Sequence, residues 1–169
     1  MSNLRRWAQA RGNTVFPDEV TGAVTLWLRF VDSETGMHTN VRRVLQGCFW
    51  NDDSIVVFRR TGNQIKHSAT LFIPYGRETS GFQYVRPEVW HGLSSEALTE
   101  SWTADPLNMP IMLGGESSFE FEPADPKAPN RIAVQETRFF EGNPNVRRAA
   151  DINTNFFGAP DMWHVQIRC

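Results

Sequence analysis

The chain has 169 residues, of which 40% are hydrophobic and 12% aromatic, and its net charge is −2. This size and composition fit one folded domain that can bury a sizeable core without disulfides or metals, and they exclude a disordered chain. The nearly balanced charge does not favour a general nucleic-acid binder, which is usually basic.

Charge is unevenly distributed along the chain. Residues 1–16 contain three arginines and no acid, whereas residues 88–125 contain eight acids and no lysine or arginine. We interpret residues 1–20 as an N-terminal arm and residues 21–169 as a single β-barrel domain. The start is polar, and no stretch approaches the roughly 18 apolar residues of a membrane span. No membrane association is therefore expected, and both cysteines are expected to be free thiols of a protein made in a reducing cytosol.

The first half of the domain predicts strands. The stretch VTLWLRFV, 24–31, alternates in polarity, which places its even-numbered residues on one face and Thr25, Trp27 and Arg29 on the other. A second extended stretch, 40–50, is expected to be broken by the Asn-Asp-Asp at 51–53. SIVVFRR, 54–60, and IKHSATLFIP, 65–74, flank a Thr-Gly-Asn turn signal and predict a hairpin.

Regular alternation stops between residues 75 and 110. Pro87 favours the start of a short helix, PEVWHGL, and residues 94–102 favour a second helical turn. An irregular segment of about 35 residues inside a compact domain is usually functional or mobile. We therefore predict an acidic insertion loop at about 75–110.

Strand-like patterns resume with PIML at 110–113, SSFEFE at 117–122 and RIAVQETRFF at 131–140. A last pair, at about 146–155 and 162–168, is joined by an FFGAPD loop. Many short alternating strands with frequent turns and little helix indicate an all-β fold. The predicted fold is a small antiparallel β-barrel or sandwich with a long irregular, acidic insertion loop.

The chain ends in FGAPDMWHVQIRC, which brings His164 and Cys169 close in sequence. In a strand these two residues lie on opposite faces and about 17 Å apart, too far for a nucleophile and its base. Hydrolase, phosphate-loop, dinucleotide-binding and zinc-protease motifs are absent from the sequence. We expect no enzymatic activity, no cofactor and no metal. The alternative is a cupin-like barrel enzyme with His67, His91 and His164 around a metal.

Three arginine pairs lie beside or within predicted strands, at 42–43, 59–60 and 147–148. Neighbours on a strand point to opposite faces, so each pair sends one arginine to a given surface. They are either solvated edges that discourage aberrant pairing or contacts for an acidic partner. One such partner is the 88–125 segment of a neighbouring copy in a symmetric ring.

Five segments, taken in order, resemble a group of small structural proteins from the head–tail region of tailed bacteriophages. They are RRVLQGCFW (42–50), SATLFIPYG (68–76), YVRPEVW (84–90), SWTADPLNMPIMLGGE (101–116) and FGAPDMWHVQI (157–167). Their order and spacing cover most of the chain from Val24 onward. Two features depart from that pattern: Trp163 and His164 stand in reversed order, and residues 104–110 replace a shorter turn.

The resemblance implies a non-enzymatic virion protein of the phage neck, of the head-completion or stopper type. Such a protein forms a ring of small β-barrels, commonly twelve- or six-fold, that links the portal to the tail and helps retain packaged DNA. Its implied partners are copies of itself, portal or adaptor proteins, tail proteins, and DNA passing non-specifically through the channel. It would be assembled in the cytoplasm of the bacterial host.

An acidic loop facing the channel would repel phosphate and let DNA pass, whereas a basic lining would grip it. Exposed aromatic residues, for which Trp27, Trp90 and Trp102 are candidates, would suit ring interfaces. The interface and channel-loop candidates are Arg42, Arg43, Arg147, Arg148, Trp90, Trp102, Glu88, Glu96, Glu100 and Asp105.

Two other interpretations stay open. One is a tail terminator or tail-completion ring. The other is a soluble β-sandwich that binds a ligand such as a carbohydrate, with Trp90 and Trp102 as stacking platforms. The neck hypothesis also predicts that deletion of residues 77–108 leaves the fold intact and produces heads that leak DNA.

Overall fold

The structure is a computed structural model. It describes residues 22–59, 62–75, 80–105, 109–115, 117–125, 127–128, 130–143, 145–156, 158–159 and 162–169. Residues 53–59, 62–67 and 130–133 are described by their backbone only. The predicted N-terminal arm, residues 1–20, lies outside the described residues.

Strands dominate the described ranges. They are β1 (Gly22–Val31), β2 (His38–Arg59), β3 (Gly62–Pro74), β4 (Gln83–Tyr84), β5 (Ser101–Trp102), β6 (Pro110–Leu113), β7 (Val146–Arg148), β8 (Asp151–Asn155) and β9 (His164–Arg168). The helices are α1 (Pro87–Trp90), α2 (Ser95–Thr99) and α3 (Asn130–Gly142). None of these helices is long and apolar enough to cross a membrane.

Seven of the strands form one curled antiparallel sheet in the order β7-β6-β1-β2-β3-β9-β8. Its two end strands, β7 and β8, are consecutive in the chain and separated only by Ala149 and Ala150. The Ala149 N–H donates to the Met109 carbonyl beside β6, and the Ala150 N–H donates to the Arg168 carbonyl on β9. One extended segment therefore pairs with β6 and then with β9, and the sheet curls back on itself. The prediction of an all-β antiparallel fold is confirmed.

β2 is the longest strand and changes partner along its length. Its first part pairs with β1 as far as Cys48, and its second part pairs with β3 from Phe49 onward. The change falls beside Gly47, whose φ of +74° is a conformation that favours glycine. The predicted break at 51–53 is wrong, because the ladder with β3 holds these residues extended despite their turn preference. The predicted hairpin of β2 and β3 is confirmed.

The main core lies on one face of the curled sheet. β1 supplies Val24, Leu26 and Leu28, as its alternation predicts, and all three are fully buried. The other fully buried large side chains of this core are Leu45, Leu71, Ile73, Trp90, Trp102, Ile111, Val165 and Ile167.

A second, smaller core covers the opposite face of β1. Trp27 is fully buried there, with its ring edge-to-face against Phe121 and Phe139 at centroid distances of 6.4 and 4.8 Å. Phe139 belongs to α3, so this helix packs on the sheet through Trp27. Trp27 is therefore a core residue, and its predicted role as an exposed interface aromatic is wrong.

The strand predicted at 131–140 is also wrong, because these residues lie in α3. Their valine, threonine and phenylalanine favour strands, but helical spacing places Glu136, Phe139 and Asn143 on one side. Glu136 and Phe139 are buried. The Asn143 side-chain amide donates to the Phe139 carbonyl at 2.8 Å, where the helix ends.

Residues 117–122, predicted as a strand from their alternation, contain no strand. β1 is already paired with β2 and β6 on its two edges, so it offers no further ladder position. Side chains bind this backbone instead. The Trp27 indole N–H donates to the Phe119 carbonyl at 2.9 Å, and Arg42 Nη1 donates to the Ser117 carbonyl at 3.0 Å.

Candidate assembly surface

The predicted insertion loop covers the main core instead of projecting from it. Its described part, residues 80–105, carries α1, α2, β4 and β5. Trp90 and Trp102 of this segment are fully buried in the main core. The Trp90 indole N–H donates to the Arg29 carbonyl on β1 at 2.9 Å, and the rings of Phe30 and Trp90 meet edge to face at 6.2 Å.

The prediction that Trp90 and Trp102 serve as interface contacts or stacking platforms is therefore wrong. Neither side chain has any exposed surface, so neither can reach a sugar or a neighbouring subunit while the domain is folded. Helix α1 turns Trp90 inward and leaves Val89 54% exposed. Sequence patterns gave no signal for this orientation, because a four-residue helix is too short to show periodicity.

Arg43 fixes the 80–105 segment to β2. Its Nε donates to the Ser101 carbonyl at 2.8 Å, its Nη2 donates to the Leu98 carbonyl, and its guanidinium lies 4.8 Å from the centroid of the Phe82 ring. Burial, and secondarily the charge of Arg42, lowers the pKa of Arg43 from its ordinary value. Arg43 is therefore a tether within the fold.

Arg42 also binds within its own chain. Besides its bond to the Ser117 carbonyl, its Nε lies 3.5 Å from the Glu120 carboxylate. Arg42 and Arg43 therefore contact the acidic 88–125 segment, but the segment of the same chain.

The second candidate pair, Arg147 and Arg148, is likewise engaged inside the chain. Arg147 Nη2 lies 2.8 Å from an Asp52 carboxylate oxygen, and the Arg148 guanidinium lies 3.9 Å from the centroid of the Phe140 ring. The Arg147 contact connects β7 to the second part of β2. Arg147 therefore joins β7 to β2, and Arg148 joins β7 to α3.

The 80–105 segment carries three exposed glutamates, Glu88, Glu96 and Glu100, and one exposed arginine, Arg86. We call these three glutamates the acidic face. Asp105, predicted as a member of the same group, is only 9% exposed and lies inward.

Asp105 lines a polar recess between β1, β2 and α3 together with Arg29, Asn40 and Glu136. Arg29 Nη2 and the buried Glu136 carboxylate form an ion pair at 3.0 Å. The side-chain amide of Asn40, only 6% exposed, has no hydrogen-bond partner in the part of the chain that the structure describes. The space between these side chains is too small for a water molecule. The recess is therefore a polar part of the core and not a ligand pocket.

Asn40→Leu is expected to raise the free energy of unfolding by about 1 kcal/mol, because a buried amide without a partner is replaced by an apolar group of similar size. Urea unfolding followed by Trp fluorescence measures the change. Asn153→Leu, at an exposed position on β8, is the control and should change stability by less than about 0.5 kcal/mol. A loss of stability in Asn40→Leu would show that the amide does have a partner.

The C-terminal strand separates His164 from Cys169, as strand parity predicts. Val165 and Ile167 are buried, while His164 lies on the other face with its Nε2 3.1 Å from the Asn155 amide nitrogen. The backbone of Cys169 pairs with Ala69, at the opposite end of β9. The two residues form no nucleophile–base pair.

The structure describes the side chains of two of the three histidines of the cupin-like alternative, His91 and His164. His91 is exposed and stacked on Phe30 with ring centroids 6.4 Å apart. His164 lies on β9, and the side chain of His67 lies outside the described residues. Within the described ranges, no group of three His, Cys, Asp or Glu side chains is placed to hold a metal ion.

Both cysteines are free thiols, as predicted. Burial raises the pKa of Cys48 well above its usual range, and burial is also the main cause that raises the pKa of Cys169 to about 11. Since the thiolate is the reactive form, alkylation of Cys169 should be slow at pH 8 and rise about tenfold per pH unit up to about pH 11. Iodoacetamide labelling with mass spectrometry measures the rates.

Cys48 should be labelled only after the protein is unfolded. The Cys169→Ser variant leaves Cys48 as the remaining thiol, so all of its labelling comes from Cys48. Rapid labelling of Cys48 in the folded protein would contradict its burial.

Above a pH near 9.0 the unfolded chain releases thiol protons that the folded chain retains. Stability should therefore fall as the pH rises from 9 towards 11.

β2 and β3 pair with each other over a longer stretch than either pairs with its other described neighbour. β1 pairs with β2 only as far as Cys48, and β9 and Cys169 pair with β3 only as far as Ala69. Residues 53–59 and 62–68 then pair with each other in seven register pairs, over about 20 Å. We call these two stretches the ribbon. In the described part of the chain, no other strand pairs with its outer edges. The sequence predicts this hairpin.

Comparison with known proteins adds a family but no function. Searches among curated proteins and among solved structures gave no match. A scan against protein-family models matched residues 20–169, a range that contains the curled sheet, the 80–105 segment and the ribbon. The chain therefore belongs to a family of proteins of unknown function (DUF6751).

Proposed function

We propose that this protein is a structural subunit of the neck of a tailed bacteriophage, of the head-completion or stopper type. Subunits would form a ring between the portal and the tail and help to retain packaged DNA. The observation that carries the proposal is a barrel-like body built from the segments that resemble neck proteins, with Trp90, Leu71 and Val165 of three of these segments fully buried together in its core.

The buried tryptophans weigh against the ligand-binding alternative, because Trp90 and Trp102 offer no surface on which a ligand could stack.

The resemblance to neck proteins coincides with the framework of the fold. The segment 42–50 lies in β2, 68–76 includes the end of β3, 84–90 contains α1, and 157–167 includes most of β9. Trp90, Leu71 and Val165, which come from three of these segments, are fully buried together in the main core. The resemblance therefore follows the residues that build the barrel-like body.

The acidic face is compatible with a DNA channel. Glu88, Glu96 and Glu100 are exposed on a segment that Trp90, Trp102 and Arg43 hold rigidly on the core. Carboxylates facing the channel would repel the phosphates of passing DNA, whereas a basic lining would bind them. This electrostatic argument supports passage of DNA without retention on the wall.

Immunogold electron microscopy of the virions made by the encoding phage tests the proposal. Antibodies against this chain should label the joint between head and tail. Loss of the chain should give filled heads that release DNA and do not attach tails. Label at the tail side of the joint would assign the chain to the tail-completion ring instead. Virions without label at either place would contradict the proposal.

A further inference from the structure

We infer that an aromatic surface at one end of the sheet binds the next copy of this chain, at an exposed phenylalanine that lies beside two glutamates. The first surface, which we call the aromatic rim, consists of Tyr75, Phe156, Met162 and Trp163. The second, which we call the Phe119 ridge, consists of Phe119, Glu120 and Glu122. The structure describes all of these side chains. The inference rests on the ring assembly of the proposed function and adds the two surfaces that form the contact.

The aromatic rim continues the rings of the main core to the surface. The Tyr75 N–H donates to the Trp163 carbonyl at 3.1 Å, which extends the β3–β9 ladder by one position. Phe156 follows the last residue of β8, which pairs with the first residue of β9. The centroid of the Tyr75 ring lies 6.0 Å from that of Trp163 and 4.8 Å from that of Tyr84. Tyr84 in turn lies 4.9 Å from the buried Trp102, so aromatic packing extends from the core to the adjacent ends of β3, β8 and β9.

The outer part of the aromatic rim is exposed. Phe156 is 56% exposed and Met162 is 38% exposed, while Tyr75 and Trp163 are partly buried. Aromatic residues and methionine are enriched in contacts between proteins, and a few tryptophan and tyrosine side chains often supply most of the binding energy. Single exposed apolar residues are normal, whereas a contiguous group of them marks an interaction site. The rim therefore has the composition of a protein–protein contact.

The polar groups of the aromatic row favour a protein partner over a carbohydrate. The Trp163 indole N–H donates to the Gly158 carbonyl at 3.2 Å, and the Tyr84 hydroxyl forms a hydrogen bond with the Thr154 side chain. A site for a polar ligand needs a few precisely placed polar groups that orient it, and these two groups are already engaged within the chain. The rim instead offers ring and thioether surface, which an apolar side chain of a partner can cover.

The Phe119 ridge is the complementary surface on this chain. Phe119 is 40% exposed, and its ring stacks on that of Phe139 with centroids 4.4 Å apart, so the second core fixes its position. Glu120 and Glu122 are exposed. The Glu120 side chain is 71% exposed although it lies 3.5 Å from Arg42. The ridge therefore presents one apolar ring beside two accessible carboxylates.

Charge favours the same pairing. The exposed guanidinium of Arg86 interacts electrostatically with the hydroxyls of Tyr75 and Tyr84. The carboxylate of Glu88 acts on the Tyr84 hydroxyl. The side of the aromatic rim at Tyr75 is therefore positive, and the two glutamates of the Phe119 ridge are negative. Opposite charges on two surfaces guide association and fix its register, so the rim fits an apolar residue with an acidic border.

The two surfaces cannot meet within one chain. Tyr75 packs against the main core, on one face of the curled sheet. Phe119 packs on Phe139, which belongs with Trp27 to the second core on the opposite face. The sheet itself lies between them. A contact between two different surfaces of identical subunits is heterologous, and it forms closed rings when the rotation between subunits closes. The pair of surfaces therefore fits the symmetry of a neck ring.

Two charge-reversed variants of the full chain test the contact. The rim variant carries Arg86→Glu, and the ridge variant carries Glu120→Lys and Glu122→Lys. Sedimentation velocity and native mass spectrometry measure their assembly over a range of concentrations. Each variant alone should associate at least about 10-fold more weakly than the wild type, because like charges then meet. An equimolar mixture should assemble like the wild type, because each rim then meets a ridge of opposite charge.

The apolar part of the contact has its own variant and a matched control. Phe156→Ser should also weaken association at least about 10-fold, because it removes an exposed ring from the contact. Val134→Ser changes a side chain that is 47% exposed and lies outside both surfaces, so it should assemble like the wild type. Thermal unfolding followed by circular dichroism should be unchanged in both variants, because neither residue is buried.

The mixture is its own folding control, since only folded variants can restore each other. The inference is overturned if the wild type stays a monomer, if the rim, ridge or Phe156→Ser variant assembles normally alone, or if the mixture does not assemble. Quenching of the wild-type Trp fluorescence by maltohexaose or chitohexaose, lost in Phe156→Ser, would assign the rim to a carbohydrate and also overturn it. The neck function is judged separately, because labelled virions together with normal assembly of the variants would remove this contact and leave that function in place.

Discussion

Trp90→Ala should lower the free energy of unfolding by about 3–5 kcal/mol, the usual cost of removing a buried tryptophan. Trp90 is fully buried, its indole N–H bonds to the Arg29 carbonyl, and its ring meets Phe30 edge to face. Single domains are stable by about 5–15 kcal/mol, so the loss is a large part of the total. Urea unfolding followed by circular dichroism measures it.

Two matched variants separate packing from hydrogen bonding. Trp90→Phe keeps most of the apolar surface but removes the indole N–H, so it should cost less than Trp90→Ala. Val89→Ala changes the neighbouring residue, which is 54% exposed, and should change stability by less than about 0.5 kcal/mol. If Trp90→Ala and Val89→Ala had similar effects, Trp90 would not be a core residue and the covering role of the 80–105 segment would be wrong.

The same packing reverses the expectation for deletion of residues 77–108. The deletion removes Trp90, Trp102 and Ala104, all fully buried in the main core. We now expect the shortened chain to unfold instead of keeping its fold. Cooperative thermal unfolding of the deletion variant near the wild-type temperature would show that the segment is a dispensable loop after all.

Sequence reasoning succeeded where a strand has one periodic pattern and a buried face. The alternation of Val24, Leu26 and Leu28 gave the face of β1, and the parity of β9 separated His164 from Cys169. It failed where long-range contacts override local preference. The stretch 131–140 has strand-favouring residues, but its helix is stabilised by Phe139 against Trp27 and by Glu136 paired with Arg29.

The candidate site was predicted in part, for a related reason. The acidic character of Glu88, Glu96 and Glu100 is a property of the sequence, and the structure leaves these residues exposed. The groups that the arginines bind cannot be predicted from the sequence, because Arg43 and Ser101 come together only after the 80–105 segment folds over β2. Similarly, a tryptophan in an irregular acidic stretch shows no periodicity, so its burial cannot be derived from its neighbours.

Arg43→Met should lower the free energy of unfolding by about 2–4 kcal/mol, because bonds from a charged donor are stronger than neutral ones and the buried carbonyls lose their partners. Methionine keeps most of the length and apolar stem of arginine. The tether to the Leu98 and Ser101 carbonyls is what disappears. Arg42→Met is the matched neighbour, and with a half-buried side chain and an exposed ion-pair partner it should cost about 1 kcal/mol or less.

The loss in Arg43→Met should also be local, which distinguishes a tether from a general core contact. Hydrogen exchange should accelerate in residues 80–105 more than in β1 and β9, because the segment opens while the sheet remains paired. Arg43→Lys keeps the positive charge but not the fork that reaches two carbonyls at once, so it should restore little of the lost stability. Full restoration by lysine would show that charge alone holds the segment. Uniform acceleration across the sheet would show that Arg43 supports the barrel-like body as a whole.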